Sequence, residues 1–387
     1  MGFFNNNYSE LKRQIDFIEK GFSGCKTRAD FYSYFATYQT LCALYKVTTG
    51  IDVYDLSGPL KLSASIIEGE FSKKVINGFY DSFYEDRNIS LHLFEKCYFD
   101  AIDSYVGFLQ EDGYYLDSLP FKELSCDLEA MEIIYSFLDS EFPSSKVLFD
   151  DLFANGRVFD LGSDSKYIDR EAVTFFNPVE RISNLFLRGK FRTISDLSSF
   201  VHEFGHAFDS DFLSKVSTDL CVPVVNGVRV DVEALSCFYQ FRFLDYLIKN
   251  DIYKDDARKE LATDLGALLY HLENGYFISM ANKEEYDKLK LGQVSKGEYI
   301  LGLLDRGLDI TLPDFLDISD LDYVLSIPET ASYSYGLILG SSFTDTNSYI
   351  RFAAAYNDSL EKRLGNSNIT PEAASVQLVK KIETLYN

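Results

Sequence analysis

Along much of the chain, apolar residues recur at intervals of three and four. In Leu11–Glu19, Phe31–Lys46, Leu91–Leu109 and Leu128–Leu138 this spacing predicts successive amphipathic helices, because such residues share one face of a 3.6-residue turn. Clusters such as Gly21-Phe22-Ser23-Gly24 and Ser57-Gly58-Pro59 punctuate them. The Phe and Tyr stripes on these helices read as core. Residues 1–150 are therefore expected to form an N-terminal helical region.

The pattern changes at Asn155-Gly156. Arg157–Leu161 and Glu171–Asn177 are β-prone and bracketed by turn residues, which predicts a small sheet. The helical period then returns: Ile194, Leu197, Val201, Phe204 and Phe208 make one apolar face. Thr193 with Asp196 reads as a capping box that starts this helix. Asn226-Gly227 marks a turn, and Val232, Leu235, Tyr239, Phe243 and Leu247 restart the period. More helices follow, with breaks expected around 292–296, 311–314 and 326–330. The fold class expected is mainly α with a small sheet before the helix at 194. Residues 151–387 form the second region, continuous with the first because no linker divides them.

The helix at 194 carries His202-Glu203-Phe204-Gly205-His206, which uses two of the four histidines in the chain. Imidazoles four apart on a helix lie about 40° apart around its axis, so both can hold one metal ion. The carboxylate between them is turned about 100° aside, where it can reach a water on that metal. Both histidines sit off the apolar stripe, beside Ser195, Ser199 and Asp209. Gly205 costs about 1 kcal/mol relative to Ala in a helix interior. Its presence implies that a strand or a substrate approaches the backbone there.

Composition narrows the class. The formal charge of −23 supplies no basic footprint for nucleic acid. No run of 18 apolar residues spans a membrane. The N-terminal Met1-Gly2-Phe3-Phe4-Asn5-Asn6-Asn7 shows neither a secretory signal nor the Ser or Thr of a myristoylation site. The six cysteines lack Cys-x-x-Cys spacing and read as reduced thiols of a cytoplasmic protein. Three disulfides in a secreted protein is the alternative.

A hydrolytic zinc site takes three protein ligands and leaves a position for water. No histidine follows His206 before His271, so the third ligand is expected to be a carboxylate on the next helix. Glu233 is the leading candidate, with Asp231, Asp219 and Asp211 competing on spacing alone.

His-Glu-Phe-Gly-His-Ala-Phe followed by Val-Glu-Ala-Leu-Ser resembles the zinc peptidase family of thimet oligopeptidase and oligoendopeptidase F. The resemblance extends more weakly to Val158-Phe159-Asp160-Leu161, to the strand ending in Asn177, and to Tyr333-Ser334-Tyr335-Gly336-Leu337. It thus covers roughly 150–345. It implies a zincin-type helical metallopeptidase domain that binds one Zn2+ through His202, His206 and Glu233. Glu203 would be the general base. Tyr333, or in second place Tyr335, would donate to the oxyanion. Ser236 would orient a ligand, and the strand ending in Asn177 would bind substrate backbone. The partners implied are peptide substrates. Cys237 reads as a buried structural thiol, and His92 and His271 as ordinary helix histidines, with His271 also a possible donor.

Two departures matter. The chain is shorter than typical members, and the difference falls on the N-terminal wall of a deep substrate channel. The family also places a histidine shortly before its catalytic tyrosine, whereas Asp322–Ser332 contains none. A zinc-containing protein that binds peptides with weakened catalysis is the alternative function. Manganese or cobalt could occupy the same ligands.

Overall fold

A computed structural model describes residues 8–55, 83–84, 86–161, 172–189, 191–216, 229–304, 320–356 and 358–386. Ser57-Gly58-Pro59, Glu171, Asp219, Cys221, Asn226-Gly227 and the break at 311–314 lie outside them. The described chain is mainly helical with one small sheet. Among the described residues no helix is long and apolar enough to cross a membrane, and the five described cysteines are free.

Two compact units interleave along the sequence. The first takes Met1–Val75, Ser118–Asn226 and Tyr239–Glu260; the second takes Ile76–Asp117, Gly227–Phe238 and Leu261–Asn387.

In the first unit, α1 (Ser9–Gly21) and α2 (Arg28–Thr49) form a helical pair. Thr27 caps α2 with a reciprocal capping box to Asp30, and Gly50 ends it in the left-handed conformation at φ 72°, which a glycine adopts without strain. Next come α4 (Asp127–Glu141), α5 (Lys146–Ala154) and strands β1 (Val158–Asp160), β2 (Ala172–Asn177) and β3 (Ile182–Leu187), α3 belonging to the second unit. The sheet order is β1-β3-β2, with β1 parallel and β2 antiparallel to the central β3. Then follow α6 (Ile194–Val216) and the larger part of α7 (Ala234–Lys249).

The sequence pattern does not predict β3, although it is the central strand. Strand side chains alternate between faces, and here helices cover both. Asn184 reaches Gln14 of α1, and Phe186 stacks on Phe159 at 5.0 Å within the α1–α2 core. On the other face, Ser183 donates to the Ala207 carbonyl of α6. A strand buried on both sides loses the apolar–polar alternation that would mark it.

The second unit holds α3 (Arg87–Phe108), the turn that opens α7, and most of α8 (Lys254–Ser279). It also holds α9 (Lys283–Lys290), α10 (Lys296–Leu304), α11 (Asp320–Ser342), α12 (Thr346–Ala354), α13 (Leu360–Asn366) and α14 (Pro371–Glu383). The break predicted at 326–330 is absent, because α11 runs through Pro328. An interior proline costs about 3 kcal/mol. The buried face of Ile327, Ala331, Tyr335 and Ile338 offsets it, each large apolar side chain contributing about 1.5–3 kcal/mol.

Candidate metal centre

Helix α6 begins as its sequence predicts. Thr193 Oγ1 accepts from the Asp196 amide at 3.4 Å, and Asp196 Oδ2 accepts from the Thr193 amide at 2.8 Å. The stripe Ile194, Leu197, Val201 and Phe204 is buried. Phe204 meets Phe149 of α5 and Tyr239 of α7 edge-on, at 5.7 and 5.8 Å. These contacts fix the rotation of the helix and turn His202 and His206 to a partly exposed face.

On that face, one ligand atom from each of His202, Glu203 and His206 lies within 4.8 Å of the other two. The imidazole rings are 5.0 Å apart and nearly perpendicular, at 78°, so they do not stack. Two imidazoles and a carboxylate at this separation form a donor set suited to a borderline-soft divalent cation such as zinc.

The sheet hydrogen-bonds to the backbone of α6. Thr174 Oγ1 of β2 donates to the Glu203 carbonyl at 2.7 Å, and Ser183 of β3 reaches the Ala207 carbonyl. Strand β2 therefore runs beside the histidine pair, and among the described residues its second edge pairs with no strand.

Asn177, expected at the substrate, is corrected. Alternation sends its side chain to the face covered by α1, where it is fully buried. Its amide donates to Gln14 Oε1 at 3.2 Å and Glu180 Oε2 at 3.2 Å. Its oxygen accepts from the Val179 and Glu180 amides. Asn177 shapes the β2–β3 turn, and its side chain is committed there.

Gln240 and Ser198 are the residues that the sequence reading missed. Gln240 Oε1 lies 2.8 Å from His202 Nδ1, and its Nε2 donates to Ser198 Oγ at 3.2 Å. One amide on α7 therefore grips two positions one turn apart on α6. A buried polar side chain between Tyr239 and Phe241 is the signal that could have exposed it.

Glu233, Ser236, Asp231, Tyr333 and Tyr335 belong to the second unit. Glu233 precedes α7, and its carbonyl accepts the first helical bond, from the Cys237 amide at 3.0 Å. It is thus the N-cap residue and not yet inside the helix. The Ser236 hydroxyl lies 2.9 Å from the Glu233 carbonyl and 3.0 Å from its Oε2, which orients the carboxylate.

The rival carboxylates are engaged elsewhere. Asp211 pairs with Lys215 at 2.6 Å. Asp231 is buried between Arg363, which bonds both its oxygens at 3.2 and 2.6 Å, and Arg229 at 2.9 Å. Burial raises the Asp231 carboxyl pKa, but the two guanidinium groups outweigh it and hold the group well below the usual carboxylate range.

Helix α11 packs tightly against the Glu233 turn. A Cβ added at Gly336 would lie 2.7 Å from Glu233 Cβ and 3.0 Å from Cys237 Sγ. One added at Gly340 would lie 2.7 Å from Cys237 Cβ. The glycine of Tyr-x-x-Gly is therefore a contact surface. Cys237 is fully buried in this packing, and burial pushes its thiol well up, as expected of a structural thiol.

The two tyrosines now separate. Tyr335 is fully buried, hydrogen-bonded to Ser90 and edge-on to Phe94 at 4.9 Å. Burial pushes its phenol far up. Tyr335 is thus a core residue, which corrects its candidacy as an oxyanion donor. Tyr333 is partly exposed and stacks on His271 at 4.9 Å and 29°. His92 is exposed, 3.8 Å from Glu372.

The sequence and the structure were also compared with protein-family models, characterised proteins and solved structures, and nothing matches.

Proposed function

We propose that this chain is a zinc-dependent endopeptidase that hydrolyses peptide bonds of oligopeptides. The observation that carries the reading is the convergence of His202, Glu203 and His206 within 4.8 Å on one helix face. Support comes from the β2 strand, which runs beside that helix and whose second edge pairs with no strand among the described residues. His202 and His206 would supply two ligands, and the resemblance assigns the third to Glu233, with Ser236 orienting it. This amounts to a zincin-type catalytic domain.

His202, His206 and Glu233 would hold the zinc, which would supply Lewis-acid chemistry by acidifying a water and polarising the scissile carbonyl. Glu203 takes the proton of the attacking water and later delivers it to the leaving amine. The Tyr333 phenol is assigned to the developing oxyanion, where a donor contributes about 3–4 kcal/mol. An extended peptide pairs with β2 through main-chain hydrogen bonds, which favours broad sequence tolerance. Free cysteines fit a reducing, cytoplasmic setting.

A second reading, a zinc-containing protein that holds peptides with little cleavage, is favoured by the lack of histidine in Asp322–Ser332. The retained Glu203 argues against it. Incubation of the purified protein with a mixed peptide library, with and without chelator, separates the two. Chelator-sensitive cleavage that falls by at least about a hundredfold in Glu203→Gln is expected for a general base. One zinc per chain with no cleavage above the Glu203→Gln background would leave the binding reading in its place.

A further inference from the structure

We propose that Gln240 is a positioning residue that holds His202 in the tautomer able to bind metal through Nε2, with Ser198 setting the amide. The inference rests on the metal-centre reading above and adds a residue from outside the motif.

Gln240 is 7 % exposed in a helix segment whose neighbours Tyr239 and Phe241 are 0 % exposed. An amide without partners costs several kcal/mol in such surroundings, so both of its ends need a bond. They find them on α6: Oε1 at His202 Nδ1, 2.8 Å, and Nε2 at Ser198 Oγ, 3.2 Å. Ser198 is itself 0 % exposed.

A neutral imidazole carries one N–H, and its other nitrogen is the ligand. An oxygen facing Nδ1 requires the proton there, which leaves the Nε2 lone pair for the metal. The same bond fixes the rotation of the ring. A ligand histidine commonly obtains this support from a carboxylate or a backbone carbonyl. Here an uncharged amide provides it, and Ser198 holds the other end of that amide in place. Because Ser198 and His202 lie on one side of α6 a turn apart, a single side chain couples helix position to ligand orientation.

The test uses the full-length protein after chelator stripping. Two-dimensional 15N–1H spectra of the histidine-labelled protein, assigned with His202→Gln, read the tautomer without metal. Competition with a chromophoric chelator reads the zinc dissociation constant. The expected result is Nδ1–H at His202 in the metal-free protein. Gln240→Met preserves side-chain volume but removes the acceptor, and should mix the tautomers and weaken zinc binding about 10–100-fold. Gln240→Glu restores an acceptor, and should keep the Nδ1–H form with zinc affinity within a few-fold of the original. A purely structural role would predict equal damage from Met and Glu.

Nε2–H at His202 in the metal-free protein, or an unchanged zinc constant in Gln240→Met, overturns the inference. Should Gln240→Met fail to fold, the spectrum of the original protein and the Gln240→Glu variant still decide. An original protein that binds no zinc at all sinks the metal-centre reading, while the tautomer measurement judges Gln240 independently.

Discussion

The helix that carries His202 and His206 adds hydrogen bonds from neutral groups to its apolar packing, whereas the turn that carries Glu233 is held by close packing and buried charge. Around His202 the holding groups are neutral: the Gln240 amide, the Ser198 hydroxyl and the Thr174 hydroxyl on the Glu203 carbonyl. Around Glu233 they are Gly336 and Gly340 of α11 and the Asp231–Arg363 pair. Hydrogen bonds set the angle of a ring. Packing and ion pairs set where a backbone lies. A side chain on a long helix is served by the former, and one at a helix start, where the backbone could fray, by the latter.

Substitutions should separate these two kinds of support. The largest effect is expected from His206→Ala, which removes a proposed ligand. Zinc at a thousand times its dissociation constant should stabilise the original protein by about 4 kcal/mol. That zinc-dependent rise in the unfolding midpoint should vanish in the variant, while metal-free stability barely moves. Second is Arg363→Met, which removes one of the two guanidinium partners of the buried Asp231 carboxylate. A loss of about 3–5 kcal/mol in urea unfolding is expected without added metal, and a loss below 1 kcal/mol would show that the pair does not anchor the turn. Third, Gly336→Ala and Gly340→Ala should each cost about 1–3 kcal/mol through overpacking. Only Gly336→Ala, whose new methyl group meets Glu233, should also weaken zinc binding. Equal zinc constants in the two variants would remove Glu233 from the ligand set. The smallest effect is expected from Thr193→Ala, about 1 kcal/mol for a lost helix cap, with zinc binding unchanged.

The same contrast explains what could be read in advance. The His202–His206 pair, the Thr193–Asp196 cap and the apolar stripe are relations within one helix, fixed by a spacing of three or four residues. Gln240 acts on a residue 38 positions away, and no local period announces that. The choice between Tyr333 and Tyr335 hangs on helix phase: two residues apart, one stacks on His271 and the other fills the core beside Ser90 and Phe94. Strand β3 escaped prediction because it is covered on both faces, and Asn177 was misplaced because its face could not be assigned without β3. Pro328 misled for a different reason, since its local cost is outweighed by the buried face of a long helix.

The buried amides of Gln14, Asn177 and Asn184 carry a consequence for strand β2. They lock the alignment in which Asn177 faces Ile182 and Phe175 faces Asn184, and none of the three bears a charge. Their bonds to one another do not titrate, while Asn177 and Gln14 also donate to the Glu180 and Glu10 carboxylates. The strand proposed to receive a peptide is thus aligned by a neutral ruler whose ends rest on two titratable groups.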